Sequence, residues 1–225
     1  MAIQQMLLGG GPPVLKQYYH SKVADTISQV DDWTTQTSLW ENLTHMGCGW
    51  GFSGYNCDFA TFKIHGSGSF ELTHIGFGMR CNSNSGTSNI RAMSSVVIDG
   101  DSSAGTVIYR DFKNWDIGSD TSGNHSFRFH AQDQTPDVGS LPITLNRGSW
   151  YTVGWHYTSA SGWSYSSHGN APGSESFTKS FTHNGATINI EWKNTSFNSG
   201  GYGNTANSNG TGGRSGQVQG IGFKI

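Results

Sequence analysis

The chain has 225 residues, of which 12% are charged, and a formal net charge of −2. That length suits one large β domain, and a near-neutral chain with no block of Lys or Arg argues against nucleic acid or an anionic membrane as partner. Glycine is abundant at 32 residues, while eight Trp, eight Tyr and twelve Phe supply the core bulk that the aliphatic content does not. Short apolar runs separated by Gly, Ser, Asn and Thr predict an all-β protein with polar loops.

Residues 1–13, MAIQQMLLGGGPP, differ from the rest of the chain. They show no basic n-region and too short an apolar run for a signal peptide, so assembly in a cytosol is the expectation. Ile3, Met6, Leu7 and Leu8 form an apolar tip, and Gly9-Gly10-Gly11-Pro12-Pro13 stops regular structure behind it. A hydrophobic tip on such a neck predicts an arm that docks on a partner, and a frayed terminus is the alternative. No apolar run approaches the roughly 20 residues that a membrane helix needs.

Residues 14–41 read as a lead-in segment. Val23 and Ile27 share a helical face, but Val14-Leu15 and Tyr18-Tyr19 fit extended chain equally well. The polar stretch from Asp31 to Trp40, with Trp33 and Trp40, is expected to cap the edge of the β domain.

That domain is predicted over 42–225. Cys48 and Cys57 flank the glycine-rich run GCGWGFSGYNC and could be bridged in an oxidising compartment. With Cys81 the count is odd and the spacing is not that of a zinc site, which favours three reduced thiols. Ala60, Phe62 and Ile64 alternate in a first strand. Phe70-Leu72 and Ile75-Phe77-Met79 then form a second whose phase slips at Thr73-His74, implying a bulge. Ile90, Ala92, Ser94, Val96 and Ile98 alternate in a third strand, Asp99-Gly100-Asp101-Ser102 turns it, and Thr106 to Phe112 forms a fourth. A fifth carries Phe127 and Phe129 inward. Residues 141–158, LPITLNRGSWYTVGWHYT, read as strand, turn, strand and are the densest apolar segment, expected to be a central strand pair. Asn146-Arg147-Gly148 supplies residues that tolerate the positive φ of a tight reversal. Phe177, Phe181, Ile188, Ile190 and Trp192 mark later strands, and Val218 to Ile225 closes the fold. Between them, 197–216 is a loop of Asn, Gly, Ser and Thr that cannot bury apolar surface, with Tyr202 its only large side chain.

Little chemistry is arranged. The nine histidines show no metal-ligand spacing, and neither HExxH nor CxxC occurs. Asp99 and Asp101 bracket a turn that offers calcium a minor possibility, since a calcium site wants five or more oxygens and the neighbours supply mainly hydroxyls. Glu41, Glu71, Glu175 and Glu191 stand alone, so no strand carries the carboxylate pair of a glycosidase. Trp115, Trp163, Tyr165 and Tyr202 sit beside Ser, Asn, Gly and His in segments that read as loops, a mix that stacks on sugars; rings covering the ends of a sandwich are the alternative.

Two resemblances add to this reading. FELTHIGFGMR (residues 70–80), GTVIY (105–109) and LNRGSWY (145–151) resemble the strand patterns of jelly-roll β-sandwiches, in which an F-x-L-x-x-I-x-F strand comes early and an L-x-x-G-x-x-Y hairpin late. Such domains occur in lectins, carbohydrate-binding modules and virion proteins, so the fold leaves the function open. MAIQQMLLG resembles the opening of structural proteins of marine tailed bacteriophages. That resemblance implies a virion component of a phage of marine bacteria, such as a cyanophage. The expectation is therefore a jelly-roll-like antiparallel β-sandwich with an extended N-terminal arm, serving as a non-enzymatic decoration or tail-appendage protein. Its implied partners are other virion proteins and, by symmetry, further copies of itself. The alternative is a carbohydrate-binding module or receptor-binding tip for a host glycan.

Overall fold

Strands with one buried face need apolar side chains at every second position, because successive side chains point to opposite faces of a sheet. That alternation becomes strand structure throughout the computed structural model. The structure describes residues 15–21, 27–30, 57–82, 90–101, 105–116, 123–130, 135–157, 164–167, 176–194 and 219–225. Ile3, Met6, Leu7 and Leu8 of the expected arm lie outside the described residues, as do Trp33, Trp40, Cys48, Trp163 and the 197–216 loop with Tyr202.

The described strands form two seven-stranded antiparallel sheets. The first contains β1 (Gln17–Ser21), β2 (Ser28–Val30), β4 (Ser69–Asn82), β7 (Gly123–His130), β9 (Ile143–Asn146), β11 (Ser164–Ser167) and β14 (Gln219–Lys224). The second contains β3 (Cys57–Ile64), β5 (Ile90–Asp99), β6 (Thr106–Asp116), β8 (Pro136–Val138), β10 (Tyr151–Tyr157), β12 (Ser176–His183) and β13 (Ala186–Asn194). Its order is β12-β13-β3-β10-β5-β6-β8. Between the sheets, Phe70, Phe77, Phe127, Phe129 and Phe223 of the first meet Phe62, Tyr109, Tyr151, Val153 and Trp192 of the second. This is the expected antiparallel β-sandwich.

Strand β4 organises the first sheet. One of its edges pairs with β9 over Ser69 to Leu72 and then with β7 from His74 onward, while the other pairs with β14 and then β11. The phase slip expected at Thr73-His74 is a bulge: His74 faces Gly222 and Leu72 faces Phe223, so Thr73 is the extra residue. The bulge lets both Leu72 and Ile75 enter the core and brings His74 out on the opposite face.

Residues 141–158 correct the expectation of a strand pair. β9 joins β4 in the first sheet, whereas β10 lies between β3 and β5 at the centre of the second. Gly148 does take a positive φ, +81°. The reversal is nevertheless a crossing between sheets, held by the neighbouring crossing from β3 to β4. Gly148 N donates to Ile64 O at 2.7 Å and Arg147 N to Gly68 O at 2.9 Å. The Arg147 guanidinium donates to His65 O through Nε at 3.0 Å and Nη2 at 2.6 Å. Alternation suits a hairpin and a crossing equally. The crossing puts Leu145 and Tyr151 on facing walls of the core, where both are buried.

The described part of the lead-in, 15–21 and 27–30, takes the extended alternative. β1 lies between β14 and β2, with Gln17 opposite Lys224 and Val30. Pairing on both sides satisfies its backbone, and its side chains reach across the sandwich. Tyr18 Oη and His183 Nδ1 are 2.8 Å apart, and Trp192 Nε1 donates to His20 Nδ1 at 2.7 Å.

A further correction concerns β5. Val97, opposite Val153, faces the core, while Val96 and Ile98 occupy the other face. Ser94, Ser95, Val96, Val97 and Ile98 are all fully buried, so over these five residues neither face is exposed to mark the orientation. At the edge, β8 begins at Pro136, a residue tolerated where no ladder bond is required. There the buried Asp111 carboxylate accepts from Phe112 N at 2.8 Å and Thr135 N at 3.0 Å, tying β6 to the start of β8. β12 and β13 are joined by Asn184-Gly185, both at positive φ, the pair of conformations that a tight hairpin turn requires.

Candidate functional site

Among the described residues, a connected set of polar and aromatic side chains near solvent lies on the outer face of the second sheet. Phe62, Ile64, Ile190 and Trp192 point into the core. Alternation therefore turns Lys63, Glu191 and Lys193 outward, and Lys63 is the cross-strand partner of Glu191. Trp150, one residue before β10, continues the register in which Tyr151 faces Phe62, and so arrives beside Lys63.

The contacts form a chain across the sheet. Glu191 Oε2 accepts from Lys63 Nζ at 3.1 Å and lies 2.8 Å from His65 Nε2. Lys63 Nζ stands 4.1 Å from the centroid of the Trp150 ring and Lys193 Nζ 4.2 Å from it. Lys193 Nζ in turn donates to Asp101 Oδ2 at 2.8 Å. Two cations on one indole draw on the negative face of its π-system, and each cation has its own carboxylate. Burial pushes the Glu191 carboxyl up, but hydrogen bonds from Lys63 and His65 outweigh it and hold the group below its ordinary range. The hydrogen bond from Lys193 lowers Asp101 in the same way.

This arrangement offers charge, hydrogen bonds and one half-buried ring. Among the described residues it brings no second carboxylate into contact with Glu191 or Asp101. Among the described residues no three His, Cys, Asp or Glu side chains are grouped to hold a metal ion. Asp99 and Asp101, the turn weighed for calcium, are both exposed, and the Asp101 carboxylate is engaged by Lys193.

The residues singled out from the sequence are distributed differently. Trp115 lies on β6, opposite Arg91, and Tyr165 lies on β11, opposite Cys81. They are therefore strand residues of different sheets and not loop residues. Sequence reasoning missed Trp150 because alternation assigned it to a strand surface like any other. The available signal was the charge pattern, with Lys63 and Glu191 each between inward-facing residues and Lys193 directly after the inward-facing Trp192. Of the histidines whose side chains are described, His20, His74, His130 and His183 are buried and His65 is 40% exposed.

Fold and site define an antiparallel β-sandwich in which Lys63, Glu191, His65, Lys193 and Asp101 are tied to one another around Trp150. No family model matches the chain, and no curated protein is similar to it. Among solved structures, the chain is similar to one titled "Crystal structure of infectious bursal disease virus VP2 subviral particle", at 12% identity and a TM-score of 0.31. The match covers 95% of this chain and 42% of that one, so this chain spans less than half of its length. At that TM-score neither role nor assembly is transferred from it. No helix among the described residues is long and apolar enough to cross a membrane.

Proposed function

We propose that the protein is a non-enzymatic structural component of a bacteriophage virion, a decoration or tail-appendage protein that docks on its neighbours through the arm at 1–13. The observation that carries this reading is the way β1, the first strand after the arm, is held. Its backbone pairs with β14 on one side and β2 on the other, and the ladder continues in Lys16 N to Ile225 O and Ile225 N to Lys16 O, at 3.3 and 3.2 Å. Tyr18 and His20 clasp the same strand to the second sheet. An apolar tip issuing from that strand would transmit load to both sheets at once, as an anchoring arm must. The resemblance of MAIQQMLLG to structural proteins of marine tailed phages supports the same reading.

A host-glycan tip is the second reading. It is the less supported, because two of its expected stacking residues, Trp115 and Tyr165, belong to different sheets. Deleting residues 1–11 tests the proposal. Burial of each large apolar side chain of the tip is worth on the order of 1.5–3 kcal/mol before the entropy of ordering is subtracted. The truncated protein is expected to keep its thermal midpoint and to lose incorporation into particles or oligomers. Normal assembly of the truncated chain would overturn the anchoring role.

A further inference from the structure

Towards one end of the sandwich the inner face of the first sheet changes its chemistry. On β4 the inward positions run Phe70, Leu72, Ile75 and Phe77, and on β7 they include Phe129 and Phe127, all of them core residues. The same alternation continues to the positions of Met79 and Cys81 on β4, and of His125 and Gly123 on β7. Register sets Met79 opposite His125 and Cys81 opposite Gly123. Along the other edge of β4, Ser167 and Tyr165 of β11 stand opposite Met79 and Cys81. Neighbouring inward positions on three strands thus carry an imidazole, a thioether and a thiol.

Methionine and cysteine alone would be ordinary core filling. A histidine directly opposite the methionine is not, because ring nitrogens at a position between two sheets need partners. Directly opposed strand positions have Cβ atoms about 4.5–5.5 Å apart, and diagonal ones about 7–8 Å or less. Metal–donor bonds of about 2.0–2.3 Å set two donors on one ion roughly 3.5–4 Å apart. Histidine, methionine and cysteine side chains are long enough to close that difference. Gly123 adds no side chain at the position opposite Cys81.

We propose that Met79, Cys81 and His125, juxtaposed by the register of β4 and β7, form a site for one copper(I) ion on the inner face of the first sheet. Thiolate and thioether are soft donors that select copper(I), and imidazole suits copper as well. On binding, the Cys81 thiol gives its proton to solvent as the sulfur–copper bond forms. One thiolate and one monovalent cation then sum to no net charge. The complex therefore costs little to hold between the sheets, whereas a divalent ion on the same donors would leave a charge buried there. The inference does not depend on the virion role, and its test needs no assembly.

Purified full-length protein, reduced and kept free of oxygen, competes for copper(I) with the chromogenic chelator bicinchoninate. The titration is made in the wild type and in Cys48→Ser/Cys57→Ser, which leaves Cys81 as the sole thiol. The double variant should take up a single copper(I) ion per chain, and adding Cys81→Ser should abolish that uptake. Met79→Leu and His125→Gln should each weaken it at least about tenfold, since even the partners of metal ligands contribute about 10–100-fold. X-ray absorption of the copper-loaded chain should show sulfur and nitrogen around the metal, with the nitrogen lost in His125→Gln. Uptake that survives Cys81→Ser overturns the proposal, as does no uptake at all. Uptake that needs Cys81 but is indifferent to both Met79→Leu and His125→Gln belongs to a lone thiol and overturns it too. Should Cys81→Ser fail to fold, the response of Met79→Leu decides, because that exchange nearly conserves volume.

Discussion

Trp192 donates its indole N–H to Nδ1 of His20 at 2.7 Å, across the sandwich and with both side chains fully buried. An indole nitrogen can only donate. Nδ1 of His20 must therefore be the unprotonated nitrogen, and the tautomer is set by a residue 172 positions away. Replacing His20 by Leu leaves a buried N–H without its acceptor, a loss of about 1–3 kcal/mol. Adding Trp192→Phe to His20→Leu removes the orphan donor, so the double variant should be more stable than the sum of the two single losses predicts. Urea denaturation measures all three, and strict additivity would show that the bond contributes nothing.

Acid sensitivity arises from His74. Burial, then the charges of His130, Arg128 and Lys224, lower its pKa from 6.5 to about 3. Among the described residues, Glu71, the register partner of Lys224, is an acidic group on this part of the face. As pH falls below 6.5 the unfolded chain takes up the proton before the folded one. The stability contribution of the neutral imidazole is thus complete above that value and is lost progressively down to about 3. Within the window, this one group should lower the unfolding free energy by about 1.4 kcal/mol per pH unit. His74→Gln should flatten the pH dependence of the urea midpoint between pH 6 and 4, and an unchanged slope would count against the assignment.

Gly139 and Gly185 separate backbone strain from collision. Both have positive φ, +62° and +79°. A Cβ at Gly139 would stand 2.2 Å from the carbonyl oxygen of Ile108, whereas one at Gly185 would meet nothing within 4 Å. Gly185→Ala should cost about 1 kcal/mol from strain alone. Gly139→Ala should cost clearly more, because the end of β8 must shift away from β6. Thermal unfolding of the two variants checks the order, and equal losses would refute it.

The carboxylates flanking Trp150 should differ in weight. Glu191, with a side chain 24% exposed, bonds both Lys63 and His65, while Asp101, 58% exposed, bonds Lys193 alone. Glu191→Gln is expected to lose about 1 kcal/mol. Asp101→Asn should lose less than about 0.5 kcal/mol, and that small loss should vanish in high salt. A larger effect at Asp101 than at Glu191 would show that exposure does not rank these pairs.

Much of the fold was legible in order along the chain. Phe62 with Ile64, Phe127 with Phe129, and Ile188 with Ile190 and Trp192 announced inward faces by their spacing, and each of them is in the core. The Thr73-His74 slip gave away the bulge, because two apolar runs out of phase on one strand cannot both face inward without an extra residue. The positive φ of Gly148 was legible too, since local backbone geometry is a local property. The candidate site was not. Trp150, Lys63, Lys193, Glu191 and Asp101 come from separate segments, and nothing in any one segment names the others.

By itself, then, the sequence determined where strands form, which faces of most of them are apolar, and where the chain must bend. Those depend on residues within a few positions of each other. Only the tertiary structure decided partners: that β9 and β10 part to opposite sheets, that β5 is buried on both faces from Ser94 to Ile98, and that β1 is locked between β14 and β2. It alone gathered His74, Arg128, His130 and Lys224 on one face. Backbone hydrogen bonds between strands are the same whatever the sequence, so the pattern that makes a strand carries little about its neighbour. The neighbour is chosen by the summed packing of both sheets, a property no segment holds alone.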